Sequence, residues 1–319
     1  MKGKVLGWLV LCWWGCTVAC QGLTEEAAEV RVPASGLQSQ RNALGKALFE
    51  DARFSRDGRT SCISCHLPQA AYSDTLPLSA GVFGRRSARN TPPLVGIPKH
   101  FPLMWDGGVG PLQDGRHGVL AALTHHADLD LSPVALDRKL SLYAHLRRRL
   151  LALFPGQAAA EAYLSALHGF VLSLGTDTIT NNNRTKNQAP YARVLPDKGR
   201  DLFAGKAGCS KCHSGGSMSD GAFHRILPLP TKGNETNGGN GTLDTDAGLA
   251  RITHSLKDIG RFRTPRLVNL GLTAPYFHDG SAPDLESVLE HYLHGAEEAG
   301  RLELTPTEQA ALLDYLKTL

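Results

Sequence analysis

Methionine, tryptophan and cysteine are scarce in this chain of 319 residues, and the few present are unevenly placed. One of the three methionines is Met1, so only Met104 and Met218 lie deeper in the chain. Three of the four tryptophans (Trp8, Trp13 and Trp14) fall within the first twenty residues, which leaves Trp105. The same stretch takes Cys12, Cys16 and Cys20 of the seven cysteines, leaving Cys62, Cys65, Cys209 and Cys212. Charge is also modest, at 20% of residues with a formal net of +4. Without the first twenty residues Lys2 and Lys4 are lost and no acid is, so the net falls to about +2. So nearly neutral a surface argues against nucleic acid as a partner. A hydrophobic content of 42% leaves no room for a long disordered block. The length is enough for two domains with cores of their own.

The opening "MKGKVLGWLVLCWWGCTVAC" runs from lysines through an uncharged apolar stretch to small residues. It reads as a secretory signal over residues 1–20, its apolar run too short for a membrane span. "TVAC" followed by Gln21 resembles a lipobox, in which Cys20 becomes the lipidated first residue of an outer-membrane lipoprotein. Cys16 is untypical of such a signal, and simple cleavage near Ala19 is the other reading. Either way the expected location is periplasmic, with an outer-membrane anchor if Cys20 is lipidated.

In an exported chain four cysteines suggest disulfides, but their spacing points elsewhere. They form "CISCH" at 62–66 and "CSKCH" at 209–213. In C-x-x-C-H the two thiols form thioethers with haem vinyl groups and the adjacent histidine reaches the iron. Zinc would require both pairs to converge on one metal and needs no following histidine. A redox C-x-x-C would sit in a βαβ pattern, which is absent. Two covalently bound c-type haems are therefore expected, with His66 and His213 as proximal ligands. "RNALGKALFEDARFS" and "DKGRDLFAGKAG", just before the motifs, have helical apolar spacing through Leu44 and Leu48, then Leu202 and Phe203. Near the end, "TPTE" supplies Thr305 as N-cap, Pro306 at the first helical position and Glu308 to complete a capping box. A mainly α fold with two cytochrome c-like haem domains follows, at 40–180 and 190–319. The join is expected in the polar run at 176–190, and a mobile Gly- and Asn-rich loop at 231–246.

Further motifs narrow the choice. "FSRDGRTSCISCH", "RRSARNTPPL", "MWDGG" and above all "GRFRTPRLVNLGLTAPYFHDGSAPDLESVLEHY" resemble the bacterial dihaem cytochrome c peroxidase family, including its MauG-like branch, from about residue 40 onward. The resemblance implies that the haem on His66 binds and cleaves hydrogen peroxide while the haem on His213 stores or relays electrons. It also implies that Trp105, in the W-D-G motif, lies between the haems; on sequence alone it could be a buried aromatic beneath the "DGG" turn. A calcium ion is implied between the domains, held by the Asn90 side chain and the carbonyls of Thr273 and Pro275, all hard ligands. In isolation Asn90 would be a turn residue.

Two axial positions depart from the commonest family pattern. Fourteen residues after His278, where peroxidases of the family have methionine, stands Tyr292, as in the MauG-like branch; in isolation it would be a core tyrosine on the amphipathic stretch "SVLEHYLHG". Tyrosinate is a hard anionic donor that stabilises ferric iron and lowers the reduction potential. The distal histidine that blocks the peroxidatic haem in many members is replaced by Val82, implying a five-coordinate iron. For the distal acid–base group the family's glutamate position corresponds to Asp128, with His125 as the alternative, or else Asp128 caps a turn and the histidines are surface residues. The resemblance thus implies peroxide reduction with electrons from a small c-type cytochrome or cupredoxin. The alternative is a MauG-like use of peroxide to oxidise side chains of a partner protein, with Tyr72, Tyr163 or Tyr191 carrying oxidising equivalents outward. A pure electron-transfer cytochrome would need both irons six-coordinate, which Val82 opposes.

Overall fold

A helix does form ahead of the first C-x-x-C-H, over Leu37–Phe49 (α1), in the computed structural model, which describes residues 36–97, 100–111, 115–175, 195–226, 246–295 and 300–319. Leu44, Leu48 and Phe49 are buried on one face of it, directed at α5 (Ala159–Ser173). The two helices meet at Gly45, where a Cβ would stand 2.0 Å from the carbonyl oxygen of Ala166. Only glycine permits that approach. Around this crossing α2 (His117–Thr124), α3 (Pro133–Leu142) and α4 (Ala144–Leu153) close a core that includes Phe54, Leu136, Leu140, Leu150 and Leu167. Ser132 caps α3 through the N–H of Ala135, with Pro133 at the first helical position.

The second half repeats the device with different residues. Helix α6 (Leu195–Ala204) precedes the second C-x-x-C-H and crosses α9 (Pro306–Leu316) at Gly199, where a Cβ would lie 2.2 Å from the Ala311 carbonyl oxygen. Between them in sequence come α7 (Ala250–Thr253), a single turn, and α8 (Leu285–His294). Phe203, Leu270, Leu285, Leu289, Leu312 and Leu316 fill this second core. The capping box expected at "TPTE" is present: the Thr305 hydroxyl accepts from the Glu308 N–H, and the Glu308 carboxylate accepts from the Thr305 N–H at 2.8 Å. Such a cap contributes about 1 kcal/mol.

The only sheet among the described residues is one antiparallel pair, β1 (Phe223–Arg225) and β2 (Arg261–Arg263), with Phe223 opposite Arg263. Three-residue strands are too short to show alternation in a sequence, and this small pair leaves the fold mainly α as expected. Residues Val32–Leu319 group as one compact unit that contains both cores. The signal segment with Cys20, the join at 176–190 and loop residues 231–245 lie outside the described residues; the loop's last residue, Asp246, is held in an ion pair. Among the described residues, no helix is long and apolar enough to cross a membrane.

Candidate functional site

At each motif a short 3-10 turn brings two thiols and a histidine together. Over Cys62–Ser64 the turn is capped by Ser61, whose N–H donates to Ser64 Oγ at 3.1 Å, and the His66 N–H returns to the Cys62 carbonyl at 2.9 Å. Cys209–Lys211 forms the second turn, and the His213 N–H bonds the Cys209 carbonyl at 2.9 Å. None of these four cysteines is paired in a disulfide. The two pairs pack against different cores, Cys62 on the first and Cys209 on the second, so they do not converge on a single metal. Burial raises the thiol pKa to about 12 for Cys62 and about 11 for Cys65 and Cys209, which favours the protonated thiol.

Both histidines are prepared as ligands. His66 Nδ1 lies 2.8 Å from the Tyr72 carbonyl oxygen, and His213 Nδ1 lies 3.2 Å from that of Met218. Binding that nitrogen to a carbonyl fixes the tautomer and leaves Nε2 as the donor atom. Burial lowers the pKa of each ring, which favours the neutral imidazole that iron requires. Met218 therefore serves through its backbone rather than its sulfur. The residues fit a covalently attached haem at each motif: paired thiols in the right spacing and a neutral, oriented imidazole beside them.

Val82 is fully buried, in a loop that lies against the segment carrying Asp128. Its N–H donates to the Asp128 carbonyl at 3.1 Å, and a Cβ on Gly81 would stand 1.8 Å from the Ala127 carbonyl oxygen. Arg56 and Arg85 both grip Asp130, at 2.9 and 2.8 Å, which ties this segment to the loops before and after the first motif. The Asp57 carboxylate adds a further tie, accepting the N–H groups of Arg59 and Phe83. Burial works to raise its pKa, but these bonds and those from Ser55 and Thr60 hold it well below the usual carboxylate range. The two candidate acid–base residues are partners: His125 Nδ1 is 3.3 Å from Asp128 Oδ1. Burial raises the Asp128 pKa, with the His125 imidazole opposing the rise. His66, Cys62 and Cys65 all feel the Asp128 charge, which puts this carboxylate in the neighbourhood of the first motif.

Tyr292 lies on α8 with Leu285 and Leu289 buried beneath it and Val288 only partly so. Its hydroxyl has no hydrogen-bond partner among the described residues. Burial raises the phenol pKa to about 12, reinforced by the thiols of Cys209 and Cys212, so Tyr292 lies in the neighbourhood of the second motif. Trp105 is half-buried: its Nε1 donates to the Asn90 carbonyl at 2.9 Å, and its own carbonyl accepts the Arg263 N–H at 2.8 Å. Asn90 is buried and its N–H bonds the His278 carbonyl at 2.7 Å, joining it to the segment of Thr273 and Pro275. The Asn90 Nδ2 donates to the Leu76 and Pro77 carbonyls, which leaves Oδ1 as the free donor atom. No hydrogen bond reaches the Thr273 or Pro275 carbonyl among the described residues. Of the expected relay tyrosines, Tyr163 is 1% exposed and packs on Phe54; Tyr72 is half-buried, and Tyr191 lies outside the described residues.

One cluster went unnoticed in the sequence. Arg89 bonds both Asp106, at 2.6 Å, and Asp246, whose other oxygen accepts Nη2 at 2.8 Å. The guanidinium also stands 5.7 Å from the Phe262 ring, which stacks on His278 at 3.7 Å. The Arg89–Asp246 separation of 157 residues leaves no local signal for the pairing. The cluster flanks Trp105, whose two backbone neighbours in space, Asn90 and Arg263, follow Arg89 and Phe262 directly.

The family model of di-haem cytochrome c peroxidases matches residues 39–198. Cytochrome-c peroxidase IdrP1 of Denitromonas iodatirespirans is 31% identical to this chain, covering 91% of it and 84% of the relative. Methylamine utilization protein MauG of Methylorubrum extorquens is also 31% identical, covering 90% and 80%. The crystal structure of a MauG-like protein associated with microbial copper homeostasis matches with a TM-score of 0.73 at 26% identity, over 90% of both chains. The diheme peroxidase BthA of Burkholderia thailandensis, at 19% identity, shares the fold with a TM-score of 0.67 over 88% of this chain and 85% of the other. The protein belongs to the di-haem cytochrome c peroxidase family, in its MauG-like branch. It is an oxidoreductase, and membership implies two haems.

Proposed function

We propose that the protein reduces hydrogen peroxide at a haem held by Cys62, Cys65 and His66, with electrons relayed through a second haem held by Cys209, Cys212, His213 and Tyr292. The bound haem supplies the redox-active iron at which peroxide is reduced. The observation that carries this reading is the buried Val82, whose N–H bonds the Asp128 carbonyl: an apolar residue that cannot ligate iron stands at the position where the resemblance implies a blocking histidine. Asp128 accepts the peroxide proton on its carboxylate and returns it to the departing oxygen, while His125 at 3.3 Å orients that carboxylate. Trp105 lies in the path between the haems. Asn90 Oδ1 and the carbonyls of Thr273 and Pro275 would hold a calcium ion that pins the segment around Trp105. The domains are assigned to residues 40–180 and 190–319, and the location to the periplasm, with an outer-membrane anchor if Cys20 is lipidated.

Tyr292 favours a second reading. A phenolate on the second iron makes a poor electron reservoir and a better holder of oxidising equivalents, as the oxidation of a partner protein's side chains requires. Stopped-flow mixing with peroxide separates the two. Rapid turnover with a reduced small c-type cytochrome or cupredoxin supports peroxide reduction; an oxidised state that persists without donor and decays on adding a protein substrate supports the second role.

Two results are expected at the distal side. Electron paramagnetic resonance of the resting protein should show one high-spin ferric centre; low-spin signals alone would defeat the role given to Val82. Asp128→Asn should slow the reaction with peroxide by roughly 10²- to 10⁴-fold. A base is active when deprotonated and the Asp128 pKa is raised. The wild-type rate should therefore fall on acidification already above the ordinary carboxylate range, and this limb should be missing from the variant.

A further inference from the structure

Two arginines beside the second motif have no counter-charge among the described residues. Arg263 ends β2, and Arg266 follows three residues later. Among the described residues Arg263 Nε is buried with no hydrogen-bond partner, and Nη1 reaches only the Thr264 carbonyl, at 3.2 Å. Arg266 Nε donates to the Ser217 carbonyl at 3.0 Å. Neither has an acidic partner among the described residues, and burial lowers the pKa of both, Arg263 to about 10 with Arg266 adding to the effect. This differs from Arg89, equally sheltered but held between two aspartates. Buried guanidinium groups are normally paired, because an uncompensated charge out of water is costly.

Their position indicates what would pair them. The Thr264 carbonyl accepts Ser219 Oγ at 2.8 Å, and Arg266 holds Ser217, so both arginines are rooted in the segment whose Met218 carbonyl orients His213. An anionic ligand bound beside His213 would find two forked cations on this segment. We infer that Arg263 and Arg266 receive the propionate carboxylates of the haem attached at Cys209 and Cys212; this rests on the dihaem reading above. A guanidinium presents parallel N–H donors that match a carboxylate, and two propionates match two guanidinium groups in charge. Through its N–H to the Trp105 carbonyl, Arg263 also couples this clamp to the tryptophan between the motifs.

The clamp acts on the potential. Negative propionates favour ferric iron, and cations beside them offset that field. The arginines thus oppose the lowering effect of Tyr292 at the same iron.

The test uses the full holoprotein in wild-type, Arg263→Gln, Arg266→Gln and Arg263→Lys forms. Haem is counted as the pyridine haemochrome, and each haem is titrated potentiometrically. The expected result is two haems per chain, a lower midpoint for the second haem in both Gln variants, a smaller fall in Arg263→Lys, and an unmoved midpoint for the haem on His66. Unchanged midpoints in both Gln variants, or equal falls at both haems, would overturn the inference. So would a wild-type midpoint that tracks added inorganic phosphate, since a free anion would then be the partner. Should Arg263→Gln lose the second haem, Arg266→Gln decides by the same criterion. A wild-type protein holding fewer than two haems would refute the dihaem reading itself, a distinct outcome.

Discussion

Replacing Tyr292 by methionine should raise the midpoint potential of the second haem by an appreciable part of the roughly 0.8 V range that axial ligation commands. The physical basis is the exchange of a hard anionic oxygen for a neutral thioether, which removes the preference for ferric iron. Tyr292 lies near enough to Cys209 and Cys212 to feel their charge, and α8 is seated by Leu285 and Leu289, so the substitution falls on a helix anchored by its own apolar face. Without iron the phenol would stay protonated up to about 12, so its deprotonation at neutral pH must come from the metal. Tyr292→Phe should therefore change the spectrum, leaving that iron open or bound by water. Spectroelectrochemistry of the three forms checks this; an unchanged spectrum and midpoint in Tyr292→Phe would remove Tyr292 from the iron.

Arg89→Met should destabilise the fold by about 3–5 kcal/mol, the usual cost of breaking a buried ion pair from one side. Asp106 and Asp246 would keep their charges with side chains only 8% and 20% exposed. Chemical denaturation with both haems attached measures the loss. The pH dependence follows from Asp246, whose pKa burial tends to raise but the Arg89 guanidinium and the Gly248 N–H lower below the ordinary 3.8. A depressed carboxylate stabilises the fold above its unfolded value, and that contribution is lost as pH falls through the folded one. The gap between wild type and variant should thus be widest at neutral pH and narrow as the solution is acidified below about 4. Because the cluster flanks Trp105, the variant should also slow electron exchange between the two haems while leaving Val82 and Asp128 undisturbed. A gap that stayed constant with pH would deny Asp246 its role.

Where the chain announces its chemistry, it does so through short-range spacing. Cys62, Cys65 and His66 fall within one turn, so their proximity is set by local backbone geometry alone, and likewise at Cys209–His213. Leu44 and Leu48, Thr305 and Glu308, and the apolar face beneath Tyr292 are also patterns within one helix, and each forms as expected. Val82 and Asp128 were legible as family positions, but their direct hydrogen bond joins segments 46 residues apart. Long-range polar contacts had no such signature. Arg89 meets Asp246 across most of the fold, and Arg263 and Arg266 lie in the quoted block "GRFRTPR", where nothing local shows that no acid awaits them. The carbonyls of Tyr72 and Met218 act as backbone atoms, so their side chains misdirect: Met218 invites attention for a sulfur that is not the group used.

The paired glycine crossings bear on the order of assembly. Gly45 must meet Ala166, and Gly199 must meet Ala311, each across more than a hundred residues, whereas each C-x-x-C-H follows its first glycine within eighteen. Closing so long a loop carries an entropic cost and slows the late steps of folding. In a chain emerging from its N-terminus, each pair of thiols is thus presented well before the helix that will shut the surrounding core. The thiols that end up packed against the two cores are open to modification during that interval, and a haem joined then can serve as the surface on which the returning helix docks.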